Sequence, residues 1–135
     1  MNTFGGLMAA SKSDSADGGG SSRGIREIAG LAAALSVVAK VHYRMELPAL
    51  RIFLEIAQRG TVPVADLGKA VGVQAASVSR TVLHVLGDGK PSEPGLGWVE
   101  SYPDPENRRF HYARLTSKGE AVARNLGLEL RRYMK

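Results

Sequence analysis

One stretch, residues 62–115, limits what the chain can fold into more than any other. It opens with two short helical patterns, 63–71 and 74–86, separated only by Gly72-Val73. Residues 97–102 then read as a strand, Pro103-Asp104-Pro105-Glu106-Asn107 as a turn, and 108–115 as the second arm of a hairpin. Two helices joined by a tight glycine turn, followed by a hairpin with Arg108 and Arg109 at its tip, predict a winged helix-turn-helix. A helix of the second one's size fits a DNA major groove, and such a hairpin reaches the neighbouring minor groove.

The bulk properties restrict the function classes. At 135 residues the chain is expected to form one domain with a core that needs no staples. It has no cysteine, which excludes disulfides, cysteine-ligated zinc and thiol catalysis and suits the reducing cytoplasm, the expected location. A net charge of +5 favours an anionic partner. The longest apolar tract, 28–39, is interrupted by Gly30 and Ser36 and falls short of the ~20 residues that span a bilayer. The first residues lack the basic and apolar regions of a signal peptide, so no membrane partner is expected.

The flanks complete the outline. Residues 1–23 are rich in Gly and Ser and predict a disordered tail. With Lys12 against Asp14 and Asp17, that tail makes a poor DNA-tracking arm. Residues 24–43 predict a helix that is apolar nearly all round, through Ile28, Leu31, Ala32, Leu35, Val38 and Ala39 and then Ala33, Ala34, Val37 and Val41. A helix apolar on every side needs burial on every side, which in so small a chain implies a homodimer interface. Residues 47–59 predict a second helix, with Pro48 near its start, Gly60 at its end, and a stripe of Leu50, Phe53, Leu54 and Ala57 broadened by Ile52 and Ile56.

Of the two short helices, the first is expected to bury Leu67, Ala70 and Val71, and the second Val78, Val82 and Val85. The second then turns Gln74, Ser77, Ser79, Arg80, Thr81 and His84 outward. Small hydroxyl side chains with one arginine allow the close approach that base edges and phosphates require. Residues 87–95 read as a loop; Gly89-Lys90 is no phosphate loop, because Pro91 stands where Ser or Thr is needed. Ser117 and Glu120 form a capping box, with Thr116 as a rival cap. The helix that follows carries Val122, Leu126, Leu130 and Tyr133 on one face, suited to packing beside the first helix.

With these segments in order, the sequence resembles the multiple-antibiotic-resistance regulator (MarR) family of bacterial winged-helix proteins. The resemblance covers roughly residues 47–126. It rests on Val64-Ala65-Asp66-Leu67-Gly68-Lys69-Ala70-Val71-Gly72-Val73, on Ser77-Val78-Ser79-Arg80, and most specifically on Asp104-Pro105-Glu106-Asn107-Arg108-Arg109 followed by Leu115-Thr116-Ser117-Lys118-Gly119. It implies a mainly α fold with a small β-hairpin, a winged helix-turn-helix with flanking dimerisation helices. Residues 24–46 and 117–135 would dimerise, and 47–116 would form the DNA-binding lobe. It further implies a homodimeric, sequence-specific repressor of double-stranded DNA on an inverted-repeat operator. Gln74, Ser77, Ser79 and Arg80 fall where the family contacts bases and phosphates, with His84 a further candidate. Arg109 falls on the wing arginine of the minor groove, with Arg108 beside it for phosphate, and Asn107 replaces the Asp that usually fixes that arginine. A narrow, A·T-rich minor groove attracts a guanidinium on electrostatic grounds alone.

The resemblance also implies a small-molecule effector, in a cleft near His42, Tyr43, Met45 and Leu50. No cofactor or metal is expected, because His42, His84 and His111 fall on three different elements without ligand spacing. His111 shares strand parity with Ala113 and Leu115 and is expected to be partly buried. No serine has a G-x-S-x-G context, and no catalytic constellation is present, so an enzyme is not expected. Two rival readings keep the fold: a protein-interaction module of a mobile-element or replication complex, which changes the partner, and a sequence-tolerant architectural DNA binder, which keeps DNA and drops the specificity.

Overall fold

The computed structural model describes residues 18–134. Residues 1–17 of the expected tail lie outside the described residues, whereas 18–23 belong to the first helix, α1, Gly18–His42. Once a helix is nucleated, each added residue gains a hydrogen bond at little further cost, so α1 extends back past Gly24. The chain divides into two compact units: residues up to Val37 together with those from Leu126 onward form one, and Val38–Asn125 the other.

In the first unit the close approach is made at Gly30. A Cβ there would lie 3.1 Å from Tyr133 Cβ and 3.5 Å from Leu130 Cδ2, so the α1 backbone rests against the end of the chain, as the apolar stripe predicts. Ala34 and Leu126 are buried. Burial on every side of α1 is not reached within one chain: Ile25 and Ile28 are 68% and 66% exposed, and Leu31 and Leu35 are exposed as well.

The second unit is built on α2, Leu47–Arg59, with Pro48 in its first turn and Gly60 ending it at φ +89°. Its buried stripe is Ala49, Leu50, Ile52, Phe53 and Ile56, and Leu54 faces outward. Strand β1, Val62–Pro63, precedes α3, Val64–Val71. This strand is absent from the sequence reading, since two residues carry no periodicity. Helix α3 buries Leu67 and Val71 but leaves Ala70 exposed, because only one narrow side of so short a helix reaches the core. Two arginines of α2 hold α3: Arg51 Nη1 donates to the Val71 carbonyl at 3.0 Å, and Arg59 lies 3.6 Å from the Asp66 carboxylate.

Gly72 sits at φ +73° and ends α3 with its N–H donating to the Gly68 carbonyl, which also receives the Val73 N–H. This is the left-handed cap that glycine adopts most easily. Helix α4, Ala75–Arg80, follows and continues as a π-helix over Thr81–Val85. Two minimal strands, β2 (Gly89–Lys90) and β3 (Glu93–Pro94), pair inside the segment expected to be a loop. Strands β4 (Val99–Pro103) and β5 (His111–Leu115) form the wing, and β1 joins them in an antiparallel sheet of order β1-β5-β4. Val99 pairs with Leu115, Ser101 with Ala113 and Pro103 with His111.

The core of this unit is Ile52, Phe53, Ile56, Val62, Leu67, Val78, Val82, Leu86 and Trp98. The Trp98 and Phe53 rings lie 5.0 Å apart at 56°. Helix α5, Ser117–Arg131, is capped by Thr116 and not by the expected Ser117: Thr116 Oγ1 accepts the Gly119 N–H at 3.1 Å and donates to the Gly97 carbonyl at 2.6 Å. The second bond decides between the two hydroxyls, because only Thr116 reaches the β4 approach. Gly119 is fixed by contact, since a Cβ there would overlap the Trp98 carbonyl oxygen, and Trp98 already receives the Thr116 N–H.

Candidate nucleic-acid interface

The α4 segment owes its place to packing from outside. Gln74 precedes it without a side-chain cap, and a Cβ on Gly68 of α3 would lie 2.7 Å from the Val73 carbonyl. At the other end Leu86 N–H donates to the Thr81 carbonyl at 2.9 Å, the bond that makes the π-turn. The Leu86 carbonyl accepts both Trp98 N–H (2.7 Å) and Val99 N–H (3.0 Å), which ties the end of the helix to the start of the wing. A π-turn advances less per residue than an α-turn, so side chains four apart stay in line. Val78, Val82 and Leu86 therefore make one buried ridge, and Arg80 and His84 share an exposed one. Val85, expected in the core from α-periodicity, is only half-buried.

The wing tip is held by its own side chains. Asp104 N–H donates to the Phe110 carbonyl at 2.8 Å and closes the loop. Asp104 Oδ1 accepts Glu106 N–H at 2.9 Å, and Asn107 Oδ1 accepts Arg109 N–H at 3.3 Å. These side chains replace ladder partners that a turn lacks. Asn107 thus acts on the backbone of Arg109 through its amide oxygen. Tyr112 donates its hydroxyl to Asp104 Oδ2 at 3.4 Å, and the carboxylate charge pushes that phenol above its ordinary value of 10.0. On the same sheet face Arg114 lies 4.6 Å over the Tyr102 ring and pairs with Glu100 at 2.6 Å.

Helix and wing flank a groove of about 540 Å³. Ser79 and Arg109 both line it, together with Val82, Leu83, Phe110 and His111. Gln74, Ser77, Arg80, His84, Asn107 and Arg108 do not; all but the half-buried Ser77 are exposed. His111 is exposed rather than partly buried, because the strand pair at Pro103–His111 runs past the core and its inward side opens on the groove. None of His42, Tyr43, Met45 and Leu50 lines this groove. Tyr43 is 77% exposed, with Arg44 Nε donating to its hydroxyl, and Leu50 is buried.

Asp104 and Tyr112 are absent from the sequence-based set. The Asp-Pro start of the tip signals a side-chain turn, whereas the tyrosine bond depends on register and has no local signal. Among the described residues no three His, Asp or Glu side chains are grouped to hold a metal, and no helix is long and apolar enough to cross a membrane.

Solved structures share the fold. RV1404 from Mycobacterium tuberculosis matches with a TM-score of 0.61 and 25% identity, over 76% of this chain and 65% of its own. The chain has a MarR-like winged-helix fold. The PcaV transcriptional regulator from Streptomyces coelicolor has the same fold at a TM-score of 0.54 and 22% identity, over 69% of this chain and 62% of its own. BpsR from Bordetella bronchiseptica, whose DNA binding is regulated by 6-hydroxynicotinic acid, matches at 0.53 with 14% identity, over 77% and 74%. The chain spans just under two thirds of the length of the first two. No protein-family model and no curated protein matches the chain.

Proposed function

We propose that the protein is a transcription regulator that binds double-stranded DNA as a homodimer, acting as a sequence-specific repressor on an inverted-repeat operator. The observation that carries this reading is the pairing of two presented elements in one lobe: Arg80 and His84 on an exposed ridge of α4, and Arg108 and Arg109 on a wing tip fixed by Asp104 and Asn107. The helix is the part that suits a major groove, and the wing arginines suit the minor groove beside it. Gln74, Ser77 and Ser79 extend the helix contacts. The exposed Ile25, Ile28, Leu31 and Leu35 of α1, with Leu128 and Met134 near the end of the chain, offer apolar side chains for a second copy to cover. PcaV is a transcriptional regulator by its description and BpsR a DNA-binding protein whose binding 6-hydroxynicotinic acid regulates, and BpsR makes a small-molecule effector part of the proposal. The cytoplasm is the proposed location.

The test is a titration of labelled duplex with the wild-type protein and Arg109→Ala. The variant is expected to bind severalfold more weakly with an unchanged melting temperature. Wild-type affinity in the variant would contradict the role of the wing arginine.

A further inference from the structure

The groove between α4 and the wing has an unusual lining. Its two most prominent walls are apolar and open to solvent: Leu83 on the helix is 51% exposed and Phe110 on the wing 56%. Beside them stand two cationic or basic groups, the Arg109 guanidinium and the His111 imidazole, and neither side chain has a partner among the described residues. The two carboxylates of the lining are already engaged. Asp66 lies against Arg59, and Asp104 accepts from Glu106 N–H and the Tyr112 hydroxyl. Hydrogen-bond capacity is left over at Ser79, whose hydroxyl has no partner among the described residues.

This combination asks for an occupant that alternates anionic oxygens with apolar carbon surface along its length. We infer that the groove seats one sugar–phosphate strand of the bound duplex, with Phe110 and Leu83 packed on the C–H faces of successive deoxyriboses, His111 and Ser79 turned to the phosphates, and Arg109 lying along the strand on its way into the adjoining minor groove. The inference rests on the proposed reading of DNA binding and deepens it. The strand that separates a major groove from the adjacent minor groove must pass between the helix in the first and the wing in the second. In this chain the passage is walled by an exposed phenylalanine and an exposed leucine where phosphate attraction alone would favour Lys or Arg. Phe110 is also placed with care: its N–H donates to the Asn107 carbonyl and its own carbonyl accepts from Asp104, so the turns that fix Arg109 fix Phe110 too.

Apolar and ionic contacts leave different signatures in salt. A lost phosphate contact lowers the slope of log affinity against log salt by about 0.9, whereas a lost apolar contact releases no counterion and leaves the slope unchanged. The experiment titrates one duplex with the full chain at several salt concentrations, comparing wild type, Phe110→Ala, Phe110→Leu, Leu83→Ala and Arg109→Ala, with thermal melts as folding controls. Phe110→Ala is expected to weaken binding on the order of tenfold with the wild-type slope, Leu83→Ala to weaken it less, and Phe110→Leu to recover most of the loss. Arg109→Ala should lower the slope. If wild type and Phe110→Ala bind equally, the groove belongs to another occupant, a small molecule or a protein, and the inference fails while the DNA-binding reading stands. A slope in Phe110→Ala that falls as in Arg109→Ala would mean a displaced wing, and overturns the inference as well. Wild type that binds no duplex at any salt overturns both.

Discussion

The helix and the wing present their side chains by opposite means. Helix α4 has no side-chain cap, is only six residues long before it widens, and is held by neighbours: the Gly68–Val73 approach at one end and the Leu86–Trp98 and Leu86–Val99 bonds at the other. The wing tip has almost no packing, yet Asp104 and Asn107 hold its backbone from within. Damage to the first should therefore spread through the fold, and damage to the second should stay local.

The largest expected effect follows from removing the outside support. Gly119→Ala forces a methyl group into the Trp98 carbonyl, a collision in a packed interior that should cost about 3 kcal/mol or more, read as a lowered denaturation midpoint. If the variant melts like wild type, the Gly119–Trp98 contact is not the tight support described. Next come the two candidate caps of α5. Thr116→Ala loses the bonds to Gly119 and Gly97 and should cost about 1–2 kcal/mol. Ser117→Ala should be near neutral, so equal losses would contradict the assignment.

At the wing, Asp104→Ala should leave the melting temperature nearly unchanged while hydrogen exchange at Glu106 N–H accelerates and duplex binding weakens. Asp104→Asn, which keeps an acceptor, should do less. A large loss of global stability in Asp104→Ala would erase the distinction between the two regions. The smallest effect is a titration. The Tyr112 phenol has its folded value raised by the nearby Asp104 charge, so the native state holds that proton more tightly than the unfolded chain does. The linked stability is complete below the unfolded value near 10 and is lost as pH rises through the folded one. Ultraviolet titration should find the Tyr112 phenol ionising later in the wild type than in Asp104→Asn.

The same contrast explains what could be read in the sequence. Glycine turns, caps and the hairpin are local chemistry, and Gly72, Gly60 and the wing arms stand where residue types place them. The Leu-Thr-x-x-Gly run shows why its glycine is required only once Trp98 lies across it. Strict helical periodicity puts Val85 in the core, but the π-turn gives that place to Leu86, and nothing local announces an i→i+5 bond that answers to strand β4. Strand β1 is defined by its partner β5, and Thr116 wins its cap through Gly97, 19 residues away. The groove that brings Ser79 to Arg109 is likewise a product of register. Its Leu83 and Phe110 read in sequence as ordinary apolar residues, and only their exposure marks them.

The most direct test of the whole account is selection of bound duplexes from a random pool by the purified protein at near-physiological salt. The account predicts enrichment of an inverted repeat whose half-sites are centred about one helical turn, roughly 10 base pairs, apart. Bound DNA without a consensus, or no retained DNA, would contradict it.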